Sequence, residues 1–237
     1  MAKKQNVIDA SNAPETLSDH IFFGMTLDED QKHFRDMIWD PEKLIVFCNA
    51  KAGTGKTQIA VMTAQLLYDY HRYDGIVYIT APVQEARIGF LPGTPQEKIA
   101  AYNEPFAQAA IKANINFDRS IHDEGLNEKN GTAYISCVSH NFLRGCNFEH
   151  QVVIIDEAQN FYADELKKVL TRMHDSCKII VIGHTGQNDL FHKPERSGFD
   201  AYIKHFENEP YAAVCTLTHN HRGLVANHAD DLIINYD

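Results

Sequence analysis

The 237-residue sequence has no apolar run approaching the roughly 20 residues that a membrane-spanning helix needs. Its first 20 residues are polar and lack the apolar middle of a secretion signal. Together these point to a cytoplasmic chain with no membrane partner. Cysteine is scarce: five residues, an odd number, with no Cys-x-x-Cys spacing. That argues against a paired disulfide framework and against a zinc knuckle. Cys48, Cys137, Cys177 and Cys215 lie in or beside apolar runs and are expected as buried thiols, whereas Cys146 follows a glycine in a polar stretch. Basic charge is also short, with 22 Lys+Arg against 32 Asp+Glu and a net charge of −10. A general polyanion binder shows a basic face, so that class is disfavoured, while a narrow groove for a single strand is still allowed. The chain has no internal repeat and no low-complexity tract. Among its 13 histidines, His219, His221 and His228 have loose ligand-like spacing, but no carboxylate pattern accompanies them.

What is present is an alternation. Hydrophobic residues make up 44% of the chain, enough for a substantial core. After a polar leader over residues 1–20, a single domain is expected over residues 21–237. Six β-rich runs occur at Leu44–Asn49, Gly75–Thr80, Thr132–Val138, Val152–Asp156, Lys178–Gly183 and Ala212–Thr218. Several are unbroken apolar stretches, which suits strands buried on both faces of a parallel sheet. Helical patterns fall between them at Gln58–Tyr70, Gln96–Lys112, Ala163–Met173 and Leu224–Ile234. This order predicts an α/β three-layer fold with a mostly parallel central sheet. The polar segment Asp118–Asn130 reads as a surface excursion.

The strongest chemical signal is Ala50-Lys51-Ala52-Gly53-Thr54-Gly55-Lys56-Thr57, placed after a strand and opening a helix. That is the context of a Walker A phosphate-binding loop. Small residues allow the backbone N–H groups of Ala52, Gly53, Thr54 and Gly55 to wrap a phosphate, and the helix N-terminus adds positive potential. Lys56 is expected on the β- and γ-phosphates, and the Thr57 hydroxyl on Mg2+. Ala50 replaces the first glycine of the pattern, which is tolerable if its φ is negative. The run Val152–Ile155 followed by Asp156-Glu157-Ala158-Gln159 reads as a Walker B strand. Asp156 is then a magnesium ligand and Glu157 orients or deprotonates the attacking water. Alternatively, both acids serve the N-terminus of the following helix.

Taken together, AGTGKT, IGFLPG followed by QEK, FLRG, VIIDEAQN, LTRM and GxxxQxDL resemble the PhoH family. Its members are similar to the nucleotide-binding core of superfamily 1 helicases, a RecA-like P-loop NTPase. The resemblance runs from about Thr26 to the C-terminus. It implies that Gln31 reads the adenine edge, that Gln187 senses the γ-phosphate, and that Arg222 stabilises charge on the transferring phosphoryl group. Thr80 and Pro82 match a segment that touches the nucleic-acid backbone in helicase relatives. Each has a plainer alternative: a surface helix residue for Gln31, a turn residue for Gln187, an ion pair for Arg222, and packing for Phe90 and Pro92. Arg196 and Arg144 are rival fingers. Two departures stand out: Ala81 where the family often has arginine, and His184 where it often has aspartate.

The functional expectation is an ATPase with ATP and Mg2+ as ligands, acting on single-stranded RNA or DNA. One RecA-like core and a late arginine suggest a homo-oligomer, such as a hexameric ring with ATP between subunits. The alternatives are a nucleotide-driven switch without nucleic acid and a nuclease. The nuclease has no carboxylates left once the ATP site is assigned. No guanine-reading motif follows the second acidic strand, so ATP is expected over GTP.

Overall fold

The computed structural model describes residues 13–18, 22–80, 104–122, 126–139, 143, 145–186 and 197–230. Helix α1 (Glu29–Trp39) precedes β1 (Ile45–Ala50), α2 (Lys56–Asp69) and β2 (Gly75–Thr80). Then come α3 (Glu104–Lys112), the single turns α4 (Phe117–Ser120) and α5 (Leu126–Lys129), β3 (Ile135–Ser139) and β4 (Gln151–Asp156). A 3-10 turn at Ala158–Asn160 leads to α6 (Ala163–Leu170), β5 (Lys178–Gly183), α7 (Gly198–Phe206), β6 (Ala212–Leu217) and α8 (Leu224–Asp230).

All six expected strands form, and they pair in parallel in the order β3-β2-β4-β5-β1-β6. Alternate residues explain why their sequences are apolar throughout. Val46, Cys48, Ile76, Tyr78, Ile154 and Ile180 face one layer with α1, α2 and α3. Phe47, Val77, Ile79, Val153, Ile155 and Val181 face the other, with α6 and α7. Helix α2 is buried on nearly every side because it lies between the sheet, α1 and α3. This is the three-layer α/β P-loop fold expected from the strand and helix pattern.

The differences are local. Helix α1 was foreseen only as the plainer alternative for Gln31; Asp28 and Gln31 form a reciprocal capping box at its start, and Gln31 is buried in it, not on the surface. Helix α7 was missed. The polar segment read as a surface excursion contains two single helical turns, and buried Asn127 ties them together by donating to Asp118 O at 2.6 Å and Ile121 O at 3.1 Å. Residues 13–18, within the segment read as a leader, lie against α1: Trp39 Nε1 donates to Pro14 O at 3.0 Å and Arg35 Nη1 to Ser18 O at 3.1 Å. Cys48, Cys177 and Cys215 are buried thiols as expected, Cys137 is half-buried and Cys146 exposed.

At the amino end of β5, Lys178 is fully buried and donates to the carbonyls of Asp40, at 2.6 Å, and Lys43. Burial, reinforced by the Arg72 guanidinium, lowers its pKa from 10.5 to about 7. A neutral amine still has two hydrogens, one for each carbonyl. Between about pH 7 and 10.5 the folded chain sheds this proton while the unfolded chain keeps it, so stability rises with pH across that window. Relative to Lys178→Met, the wild-type unfolding free energy should climb by about 1 kcal/mol per pH unit over the window, in urea titrations at matched pH.

Candidate functional site

The loop after β1 and the acidic pair after β4 meet at the carboxyl ends of the parallel strands, where such sheets bind ligands. Strand β5 separates β1 from β4, so the two motifs face each other across one strand width. Positive φ is confined within the loop to Gly53 and Gly55, both at +85°. Ala50 closes β1 in register with Leu217 and is not among the left-handed positions, so the missing first glycine costs nothing there. Gly55 occupies the N-cap of α2 and no side chain caps that end. The first-turn N–H groups therefore have no side-chain partner of their own, the condition under which a helix start attracts an anion. Lys56, at the first helical position, is largely buried.

Asp156 shares a face of β4 with Ile154, the side toward α2, and reaches Thr57 there. Thr57 Oγ1 donates to Asp156 Oδ2 at 3.0 Å, and the same oxygen accepts from the Tyr78 hydroxyl at 2.7 Å. The Glu157 N–H donates to Oδ1 at 2.8 Å. Burial raises the Asp156 carboxyl pKa, helped by nearby Glu157, while the Tyr78 hydrogen bond and Lys56 pull the other way. The Tyr78 phenol is pushed well above its usual range, first by burial and then by Asp156. A hydroxyl and a carboxylate converging within hydrogen-bond distance make a hard-oxygen pair. Such a pair suits Mg2+, which uses few protein oxygens and keeps water and phosphate on the rest.

Tyr78 was missing from the sequence reading because a tyrosine inside an apolar strand looks like core. Its ring does pack on Phe106, with centroids 4.5 Å apart. Tyr78→Phe keeps that ring contact and removes one donor from a buried carboxylate. The expected loss is about 1.5–3 kcal/mol of unfolding free energy, read from the urea midpoint.

Glu157 has φ +52°, a left-handed conformation, at the cap of the 3-10 turn. Its carboxylate Oε2 accepts from Gln159 Nε2 at 2.6 Å, and Gln159 Oε1 accepts from the His184 N–H at 3.0 Å. Gln159 thus links the acid to the end of β5. The loop after β5 is also tied to β1, since Asn49 Nδ2 donates to Thr185 Oγ1 at 3.0 Å and Thr185 N to Asn49 Oδ1 at 3.1 Å. His184, replacing the expected aspartate, takes part through this backbone N–H.

Gln31 and Arg222 are both brought to the loop. Gln31 is buried, and its Nε2 donates to Thr54 O at 2.9 Å. Arg222 is exposed at the end of the β6–α8 connection, and a Cβ added to Gly53 would fall 2.7 Å from Arg222 Cγ and 2.4 Å from Asn220 Oδ1. A cleft of about 780 Å³ opens beside these groups, with Phe23, Gln31, Gly53, Ile111 and Arg222 on its walls. Gln187, the rival arginines Arg144 and Arg196, Ala81, Pro82, Phe90 and the rest of IGFLPG lie outside the described residues. Among the described residues no helix is long and apolar enough to cross a membrane.

Comparison with known proteins agrees with the motif set. Protein PhoH of Escherichia coli K12 is 32% identical over 188 residues, covering 78% of this chain and 51% of that protein. The PhoH-like protein of Mycobacterium leprae is 33% identical over 163 residues, covering 68% of this chain and 44% of that protein. The chain spans about half the length of these curated relatives. Among solved structures, the Pif1 helicase of Candida albicans aligns over 86% of this chain and 43% of its own, with a TM-score of 0.39 and 15% identity. The family described as PhoH-like protein matches residues 25–232, which takes in the loop after β1, the acidic pair and Arg222. The chain belongs to the PhoH family.

Proposed function

We propose that this chain binds ATP with Mg2+ and hydrolyses it, and that single-stranded RNA or DNA is the partner of that reaction. The observation that carries the reading is the meeting of Lys56, Thr57, Asp156 and Glu157 at one end of the sheet, fixed by the Thr57–Asp156 hydrogen bond. Ala52, Gly53, Thr54 and Gly55 cradle the phosphates, and Lys56 neutralises the β- and γ-groups. Thr57 and Asp156 would hold Mg2+, which offsets phosphate charge when bound. The carboxylate of Glu157, oriented by Gln159, takes a proton from water as the water oxygen bonds to the γ-phosphorus. The bond from that phosphorus to the β–γ bridging oxygen breaks, and ADP leaves with the electron pair. Gln31 lies on the cleft as the adenine reader, Gln187 completes the γ-phosphate contacts, and Arg222 stabilises charge on the transferring group.

A helicase-like core favours a nucleic-acid strand as partner. A homo-oligomer, such as a hexameric ring, would give Leu224 and Val225, which follow Arg222 and are 89% and 85% exposed, a neighbouring copy to pack against. Phosphate release from ATP, with and without single-stranded RNA and DNA, tests the reading. Turnover that strands stimulate and that Lys56→Ala abolishes is the expected result. Turnover indifferent to strands favours a nucleotide switch, and ATP bound but never cleaved would end the hydrolase assignment.

A further inference from the structure

The connection leaving β6 is fastened to the start of α1 and to the Ala50–Thr57 loop. Asp30 Oδ2 accepts from Thr218 N at 3.1 Å and from its hydroxyl at 2.6 Å. The His221 N–H donates to Gly53 O at 2.9 Å. The His221 ring places Nε2 3.0 Å from Gln31 Nε2 and 3.1 Å from Asp28 Oδ2. Gln31 is 2% exposed. Its Oε1 takes the Asp28 N–H at 3.2 Å and its Nε2 gives one hydrogen to Thr54 O at 2.9 Å. The second amide hydrogen meets the imidazole.

An amide nitrogen has no lone pair to offer, so the Gln31–His221 contact is a hydrogen bond only when Nε2 of His221 carries no proton. Both hydrogens of Gln31 are then committed, to Thr54 and to His221. What Gln31 has left is the second lone pair of Oε1, which is purely an acceptor. Adenine offers a donor, its 6-amino group, beside N7, whereas guanine offers the acceptor O6 beside N7. An acceptor-only Gln31 matches the first and repels the second. A hydrogen on Nε2 would instead be donated to Asp28 Oδ2 and return one amide hydrogen to Gln31, so the arrangement requires the tautomer with its hydrogen on Nδ1.

We propose that His221 is a positioning residue for base selection, holding Gln31 as an acceptor and thereby excluding guanine nucleotides. This rests on the ATP reading given above. Affinities of the full chain for ATP and GTP, measured by displacing a fluorescent nucleotide in the presence of Mg2+, test it. In His221→Ala the preference for ATP over GTP should fall about tenfold, the effect of one hydrogen bond at a buried site, and it should fall through tighter GTP binding. A merely structural role would weaken both nucleotides together. His221→Gln, whose side-chain oxygen can accept the same hydrogen, should restore the preference. With Gln31 already changed to alanine, His221→Ala should have no further effect on the ratio, since the two act as a unit. An unchanged ratio in His221→Ala, equal weakening of both nucleotides, or no restoration by glutamine would overturn the inference while leaving ATP binding intact. A wild-type chain that binds neither nucleotide would remove the ATP reading and this inference together.

Discussion

Glu157→Gln should lower ATP turnover about 10²–10⁴-fold, the usual contribution of a positioned general base, while ATP still binds. The substitution is nearly isosteric, and a glutamine oxygen accepts the Gln159 amide hydrogen that now reaches Glu157 Oε2 at 2.6 Å. The left-handed backbone at φ +52° is as costly for glutamine as for glutamate, about 1–2 kcal/mol. The melting temperature should therefore stay close to wild type. Strain at a buried strand end persists where the surroundings hold it and the side chain has a task. Here the 3-10 turn and the Gln159 link keep the carboxylate at the crevice. Single-turnover cleavage and equilibrium binding of ATP, measured side by side, separate the two effects. Equal loss of binding and cleavage would mean that Glu157 holds nucleotide or metal instead of activating water.

The strands were legible because each buries both faces, so their apolar runs are uninterrupted. Val152–Asp156 illustrates this: the run ends on a carboxylate just where the strand ends. Helix α1 was harder to read. The residues Asp28 and Gln31 carry a capping-box signal, but Gln31 also matched a ligand-reading position, and that assignment obscured its structural one. The Gln31 amide accepts from the Asp28 N–H and donates to Thr54 O, and the proposed reading of adenine would draw on that same group. The contacts of Tyr78 and His221 were missed for a different reason, although His221 had drawn notice for its spacing from His219 and His228. Tyr78 meets Asp156 through the lateral register of β2 with β4, where Thr80 lies opposite Asp156. His221 meets Gln31 across 190 residues of chain. Contacts set by strand order and by the return of a distant loop depend on topology, which residue spacing does not encode. Lys178 is similar: a lysine heading an apolar strand reads as an exposed end, yet the turn after α1 closes over it.

Arg222→Ala should reduce ATP turnover by about 10³-fold or more, the scale on which an arginine finger acts, with a much smaller change in ATP affinity. Its location decides between two versions of the mechanism. The stem of Arg222 lies against Gly53 of its own chain. Its backbone N–H is pinned by Asn220 Oδ1 at 2.9 Å, and the neighbouring His221 N–H is bonded to Gly53 O at 2.9 Å. That anchoring favours action on the nucleotide held by the same chain. Mixing Arg222→Ala with Lys56→Ala chains checks it. If the arginine acts within one chain, every chain in the mixture lacks either its lysine or its arginine, and turnover should stay at the level of the separate variants. If it acts across a subunit interface, a Lys56-intact site can receive Arg222 from its neighbour, and a substantial part of the activity should return. The exposed Leu224 and Val225 would then belong to that interface, and replacing both with serine should abolish the recovered activity. The first outcome assigns an oligomer, if one forms, to holding a strand or a partner, because each subunit's phosphoryl-transfer site is complete without it.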